Sequence, residues 1–130
     1  MAEDKPAWIV NVDDHDFERV VLHPSHDKPV VVDFWAPWCV WCKKLAPIFD
    51  SVSTAMDGLK FIKVNVDEEK KLAQEYGISS LPTLKFFCEG REIAELIGAL
   101  PKDKLEAKFR EIIAGRVECL ATSSPAKGAA

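Results

Sequence analysis

A chain of 130 residues, 48% apolar and 29% charged, has the material for one globular domain with its own core and too little for a second. A net charge of −4 and the lack of any Lys/Arg-rich run exclude the basic face that nucleic-acid binding requires. No segment approaches the run of about 20 apolar residues that crosses a bilayer, and Met1-Ala2-Glu3-Asp4-Lys5-Pro6 lacks the basic and apolar regions of a secretory signal, so a cytoplasmic chain without membrane association is expected.

Residues 7–12, Ala-Trp-Ile-Val-Asn-Val, read as a short strand, after which Asp13 or Asp14 caps a helix carrying Phe17, Val20 and Val21 on one face. The turn formers between His23 and Pro29, where His23 and His26 are expected to face solvent, lead into Val30-Val31-Val32-Asp33-Phe34-Trp35. Such continuous apolarity predicts a central strand covered on both faces. Next, Cys42, Leu45, Ile48, Phe49, Val52 and Met56 recur at spacings of three and four, one helical stripe over residues 39–56, with Pro47 predicted to kink it.

Residues 59–66 form a second apolar strand, and Asp67-Glu68-Glu69 opens a helix that turns Leu72, Ala73 and Tyr76 inward before Gly77 stops it. Residues 83–87 and 92–97 are strands joined through Cys88-Glu89-Gly90-Arg91 as an antiparallel hairpin, which puts Cys88 in an exposed turn. A final helix from Pro101 buries Leu105, Phe109, Ile112 and Ile113 and ends at Gly115. Residues 116–130 lose this periodicity, so a domain of residues 1–115 followed by a disordered tail is expected. Strands alternating with helices and closing on a hairpin and a helix imply an α/β fold with a mixed central sheet covered on both faces.

Of the four cysteines, only Cys39 and Cys42 are paired in spacing, while Cys88 and Cys119 stand alone and are assigned no role. Two cysteines separated by two residues at a helix start can close a small disulfide ring. Unpaired N–H groups and the helix dipole there favour an anion, so the Cys39 thiol should ionise readily. Its thiolate would attack a substrate disulfide, and Cys42, one turn further in, would resolve the mixed disulfide. A structural zinc site fits poorly, because it normally takes two such pairs; no metal or cofactor is expected beyond the redox-active cysteines. A merely structural buried pair is the other alternative.

The run Val32-Asp33-Phe34-Trp35-Ala36-Pro37-Trp38-Cys39, with Cys42-Lys43 after it, resembles the active-site segment of the thioredoxin family. The similarity continues through Leu45-Ala46-Pro47-Ile48, Val64-Asn65-Val66-Asp67, Tyr76-Gly77-Ile78, Pro82-Thr83 and Ile97-Gly98-Ala99, and spans roughly residues 8–114. The resemblance implies a thioredoxin fold, with a central mixed sheet of about five strands and about four helices, and a cis peptide bond before Pro82 beside the cysteines. It also implies that Leu81 docks an extended substrate strand, that Trp38, Ile97, Gly98 and Ala99 complete the contact surface, and that Asp33 moves a proton to or from Cys42 with Lys63 near it. Otherwise Asp33 would reach solvent at a strand end and Lys63 would snorkel at the surface.

The family usually has Gly-Pro between its cysteines, whereas this chain has Val40-Trp41. Trp41 restores a backbone N–H that proline lacks, and a donor to the Cys39 sulfur would make the pair a stronger oxidant. Val40 and Trp41 are also candidate substrate contacts, unless Trp41 simply folds over the surface. The leading function is a monomeric enzyme that reduces protein disulfides; the resemblance implies that a thioredoxin reductase re-reduces it, and without a Gly-rich dinucleotide motif the chain is not expected to bind NADPH itself. A disulfide oxidase or isomerase, or a binding or chaperone module on the same fold, are the alternatives.

Overall fold

A computed structural model describes residues 10–11, 16–56 and 58–123. Strand β1, Val10–Asn11, is followed by a five-residue π-type turn, Glu18–Leu22, and a 3₁₀ turn, Pro24–His26. Then come β2 Val30–Trp35, α1 Val40–Ala55, β3 Lys60–Asn65, α2 Lys70–Glu75, β4 Thr83–Cys88, β5 Arg91–Ile97 and α3 Lys102–Ser123. The rest of the 7–12 segment and the Asp13 or Asp14 cap lie outside the described residues.

The five strands form one sheet in the order β1-β3-β2-β4-β5. β1 and β2 both run parallel to β3, whereas β4 runs antiparallel to β2 and to β5. β2 sits in the middle because its residues are apolar on both faces, which only an internal strand can bury. Successive side chains alternate between faces. One face collects Val31, Phe61, Leu84 and Phe86 under Leu45, Phe49 and Val52 of α1 and Leu105 and Phe109 of α3. The other collects Val30, Val32, Phe34, Ile62, Val64 and Phe87 under Phe17, Val21 and Leu72, with Tyr76 packed against them. Rings meet edge to face on both, Phe86 with Phe109 at 5.2 Å and Phe87 with Tyr76 at 5.6 Å.

Two expectations from the sequence are corrected. Cys88 is not in a turn: it is the last residue of β4, fully buried, and not a free thiol. The hairpin turn is shorter than expected, consisting of Glu89 (φ 55°) and Gly90 (φ 76°), the paired left-handed conformation that matches strand twist in two-residue hairpins. Ser25 holds it: the Glu89 N–H donates to the Ser25 carbonyl at 2.9 Å and the Gly90 N–H to its hydroxyl at 2.7 Å. His26 is exposed as expected, yet its Nδ1 is 2.8 Å from Glu89 Oε1.

The second correction concerns Gly115, which does not end α3; the helix continues to Ser123. A glycine inside a helix costs about 1 kcal/mol relative to alanine, and the sequence after it, Arg116-Val117-Glu118-Cys119-Leu120-Ala121, has no breaker before Pro125. Residues 124–130 lie outside the described residues.

Candidate active site

β2 and α1 place the cysteine pair. β2 ends at Trp35, the chain turns through Ala36-Pro37-Trp38 with the Cys39 N–H donating to the Ala36 carbonyl at 3.2 Å, and α1 begins. Cys39 is the helix N-cap, in extended conformation, and its sulfur accepts the Cys42 backbone N–H at 3.1 Å. A cap acceptor satisfies one of the orphan donors of the first turn. The two cysteines form a disulfide, with their Cα atoms 5.2 Å apart, within the normal range for such a bond. Both are largely buried, among Ala36, Trp35, Val66 and Leu81.

The amide that reaches the Cys39 sulfur is that of Cys42, whatever residue stands at 41. In the disulfide form the donor to this sulfur is the Cys42 N–H and not that of Trp41.

Cys39 opens on a groove of about 670 Å³ between the start of α1 and α2, lined by Trp38, Val40, Trp41 and Leu81 and by Ala73 and Ile78; Cys42 does not line it. Trp38, Val40 and Trp41 are 66%, 59% and 57% exposed, a concentration of apolar surface that soluble domains seldom show without a use. Trp41 does not fold over the core; its ring lies under the Lys44 ammonium, 4.9 Å away. The Trp38 Nε1–H donates to Asp67 Oδ1 at 3.2 Å, so Asp67 positions this wall of the groove. The sequence reading missed Asp67, as well as Lys70, Ala73 and Gln74, which α2 contributes to the lining. Their signal is the acidic run Asp67-Glu68-Glu69, which does not open the helix as expected: it precedes α2, which begins at Lys70.

On the other side, the Leu81–Pro82 peptide bond is cis, as the resemblance implied. Pro82 is buried, and its carbonyl accepts the Gly98 N–H at 2.8 Å, which ties the end of β5 to this turn. Gly98 has φ 96°, a conformation that favours glycine. Ile97 is 60% exposed, while Ala99 packs partly against the core. Of the expected contact residues, Trp38, Val40, Trp41 and Leu81 line the groove, and Pro82, Ile97, Gly98 and Ala99 do not.

Asp33 does not reach solvent. It is 3% exposed, and its Oδ1 is buried without a hydrogen bond. Burial raises its pKa from 3.8 to about 7; Lys63 opposes the rise and Asp50 of α1 adds to it. Lys63 is Asp33's register partner on β3 and is itself buried, so it does not snorkel. Its Nζ is 3.5 Å from Asp50 Oδ1 and lies over the Phe49 ring. Asp50 is a further residue the sequence reading passed over. Among the described residues, no three His, Cys, Asp or Glu side chains are grouped to hold a metal, and no helix is long and apolar enough to cross a membrane.

A disulfide that caps a helix and opens, through the cap sulfur, on an apolar groove has the setting of a thiol–disulfide oxidoreductase. Comparison with known proteins narrows the class. The thioredoxin family model matches residues 8–111. A thioredoxin of Porphyra purpurea is 39% identical over 106 residues, 81% of this chain and 97% of its own length. One of Pseudomonas aeruginosa is 45% identical over 100 residues, 76% of this chain and 91% of its own. The crystal structure of a Malassezia sympodialis thioredoxin superposes with a TM-score of 0.70 at 39% identity, covering 79% of this chain and 89% of that one. The chain belongs to the thioredoxin family, and it is a disulfide reductase that works by dithiol–disulfide exchange through Cys39 and Cys42.

Proposed function

We propose that Cys39 is the attacking sulfur, Cys42 the resolving one, and Asp33 the group that exchanges a proton with Cys42. The observation that carries this reading is that Cys39 opens on the groove while Cys42 does not. The Cys39 thiolate attacks one sulfur of a substrate disulfide; the other leaves and takes a proton. The Cys42 thiol then gives its proton to the Asp33 carboxylate and attacks the Cys39 sulfur. The second substrate thiolate departs, Cys39–Cys42 closes, and two electrons have passed to the substrate. A carboxyl that titrates at about 7 can both take and return this proton near neutral pH.

Trp38, Val40, Trp41 and Leu81 hold the substrate chain, and Leu81 offers its backbone beside Pro82 for strand addition; Ile97, Gly98 and Ala99 extend the surface. Lys63 moderates the proton affinity of Asp33. A thioredoxin reductase returns the electrons, the chain acts as a monomer, and the cytoplasm is the compartment, where thiols are kept reduced. A related chloroplastic M-type thioredoxin of Chlamydomonas reinhardtii, 47% identical over 92 residues, makes cell fractionation the direct check on that placement.

The roles of the two sulfurs are tested by trapping. Cys42→Ser should accumulate mixed disulfides through Cys39, and Cys39→Ser should accumulate none while losing insulin reduction by at least 10³-fold, on the order of a missing nucleophile. Mixed disulfides formed by Cys39→Ser, through Cys42, would reverse the assignment.

A further inference from the structure

Asp50 takes no part in the exchange described above, yet it is placed where a charge matters. Asp33 and Lys63 are register partners on adjacent strands, and the alternation of β2 and β3 directs both toward the α1 face, where Val31 and Phe61 lie under Phe49. Asp50 follows Phe49 on α1, two helical turns after Cys42. Its Oδ1 is buried, makes no hydrogen bond, and has the Lys63 ammonium 3.5 Å away as its ion-pair partner. Asp33 Oδ1 is likewise buried without a hydrogen bond. One buried ammonium is thus shared by two acids with an unbonded carboxylate oxygen each: it is the ion-pair partner of the partly exposed Asp50 and the strand-register neighbour of Asp33.

We propose that Asp50 is a positioning residue for the proton step: by holding the Lys63 ammonium and adding its own negative charge, it keeps the Asp33 carboxyl protonated to higher pH than Asp33 and Lys63 alone would. This rests on the role proposed for Asp33, but its test does not. The charges that act on Asp33 are those of Lys63 and Asp50: β4 places Leu84 in register with it, α3 brings Leu105 and Phe109 to the same face, and the cysteines at the start of α1 do not titrate while joined. The buried Lys85 of β4 lies on the opposite face, where its ammonium donates one hydrogen bond to Glu92 and one to Glu95.

The direction follows from charge. With Asp50 neutral, Lys63 is free to favour the Asp33 carboxylate, and a negative neighbour is gone; both changes lower the pKa of Asp33 from its value of about 7. The measurement is the titration of the Asp33 side-chain carboxyl carbon by NMR in the oxidised protein. Asp50→Asn should move its midpoint down by about one pH unit, on the scale of a charge within a few ångströms, and Asp50→Glu, which restores the charge, should bring it back toward wild type. The pH dependence of mixed-disulfide resolution should move down with it, whereas a purely structural loss would lower the rate at every pH. An unmoved or raised Asp33 midpoint in a folded Asp50→Asn variant overturns the proposal. A lowered midpoint with an unmoved resolution profile upholds the charge coupling and overturns instead the assignment of Asp33 as the proton carrier.

Discussion

Two lysines are buried in this sheet, one on each face, and they are solvated by the protein in different ways. Lys85, in the β4 run Thr83-Leu84-Lys85-Phe86-Phe87, donates to Glu92 Oε2 at 2.7 Å and to Glu95 Oε2 at 2.8 Å on β5. Burial opposes its charge, but hydrogen bonds and charge from the two glutamates prevail and raise its pKa. Lys63 has a single ion-pair partner, Asp50 at 3.5 Å, and lies over the Phe49 ring. The first arrangement is complete, with each acid also reaching water. The second leaves carboxylate oxygens of Asp33 and Asp50 without hydrogen bonds, at the group proposed above to carry the proton. Complete pairing marks a group that holds structure; incomplete pairing marks one whose protonation is available for chemistry.

The largest effect that could break this contrast lies at Asp33. Its pKa is raised, so its charged form is disfavoured by folding: below about pH 4 both folded and unfolded chains carry the proton, and between there and about 7 only the folded chain does. Stability therefore falls as pH rises through this window, and the penalty is complete above it. At about 1.4 kcal/mol per unit, the interval from 3.8 to about 7 amounts to about 4 kcal/mol. Asp33→Asn, neutral at every pH, should be more stable than wild type by about that much at pH 8 and no more stable at pH 3, while its reductase rate falls. Denaturant unfolding at the two pH values checks it; equal stabilisation at both would mean that the gain is not electrostatic.

On the opposite face, Glu92→Gln with Glu95→Gln should leave Lys85 buried without an anion and cost about 2 kcal/mol, less than a fully enclosed pair because both glutamates are partly exposed. Insulin reduction at a temperature where the variant stays folded should match wild type. A large loss of activity there would erase the distinction between the two lysines. The smallest effect is expected for Lys63→Met, which removes the cation that lowers the Asp33 pKa and keeps the apolar stem. Its signature is directional: the resolution profile moves up in pH, opposite to Asp50→Asn. Profiles that move the same way in both variants would show that the three groups do not act as one charge system.

What was legible in the sequence follows from where local rules govern. An unbroken apolar run placed β2 at the centre, the three-and-four spacing placed α1, and a lone acid inside an apolar strand identified Asp33 as unusual. Lys85 carried the same signal, a lone charge in an apolar strand, and was passed over because its partners on β5 become visible only once the hairpin register is set. That register also explains Cys88: a two-residue turn lengthens β4 by one residue and turns that side chain inward, which a four-residue connection would not. Asp50 was silent because an acid beside a helical stripe looks like any solvated residue until β3 brings Lys63 to it. The groove's second wall was missed for a similar reason, since Lys70, Ala73 and Gln74 join Trp38 and Trp41 only through the packing of α2. Gly115 was misjudged because one glycine weakens a helix without stopping it.

The sulfur of Cys39 is at once the reacting atom and the acceptor that begins α1. Each oxidation state of that atom is therefore also a state of the helix end: a thiolate accepts the Cys42 N–H strongly, a disulfide sulfur weakly. The helix start registers the electron count of the site, and hydrogen exchange at the single amide of Cys42 reads it without any added probe.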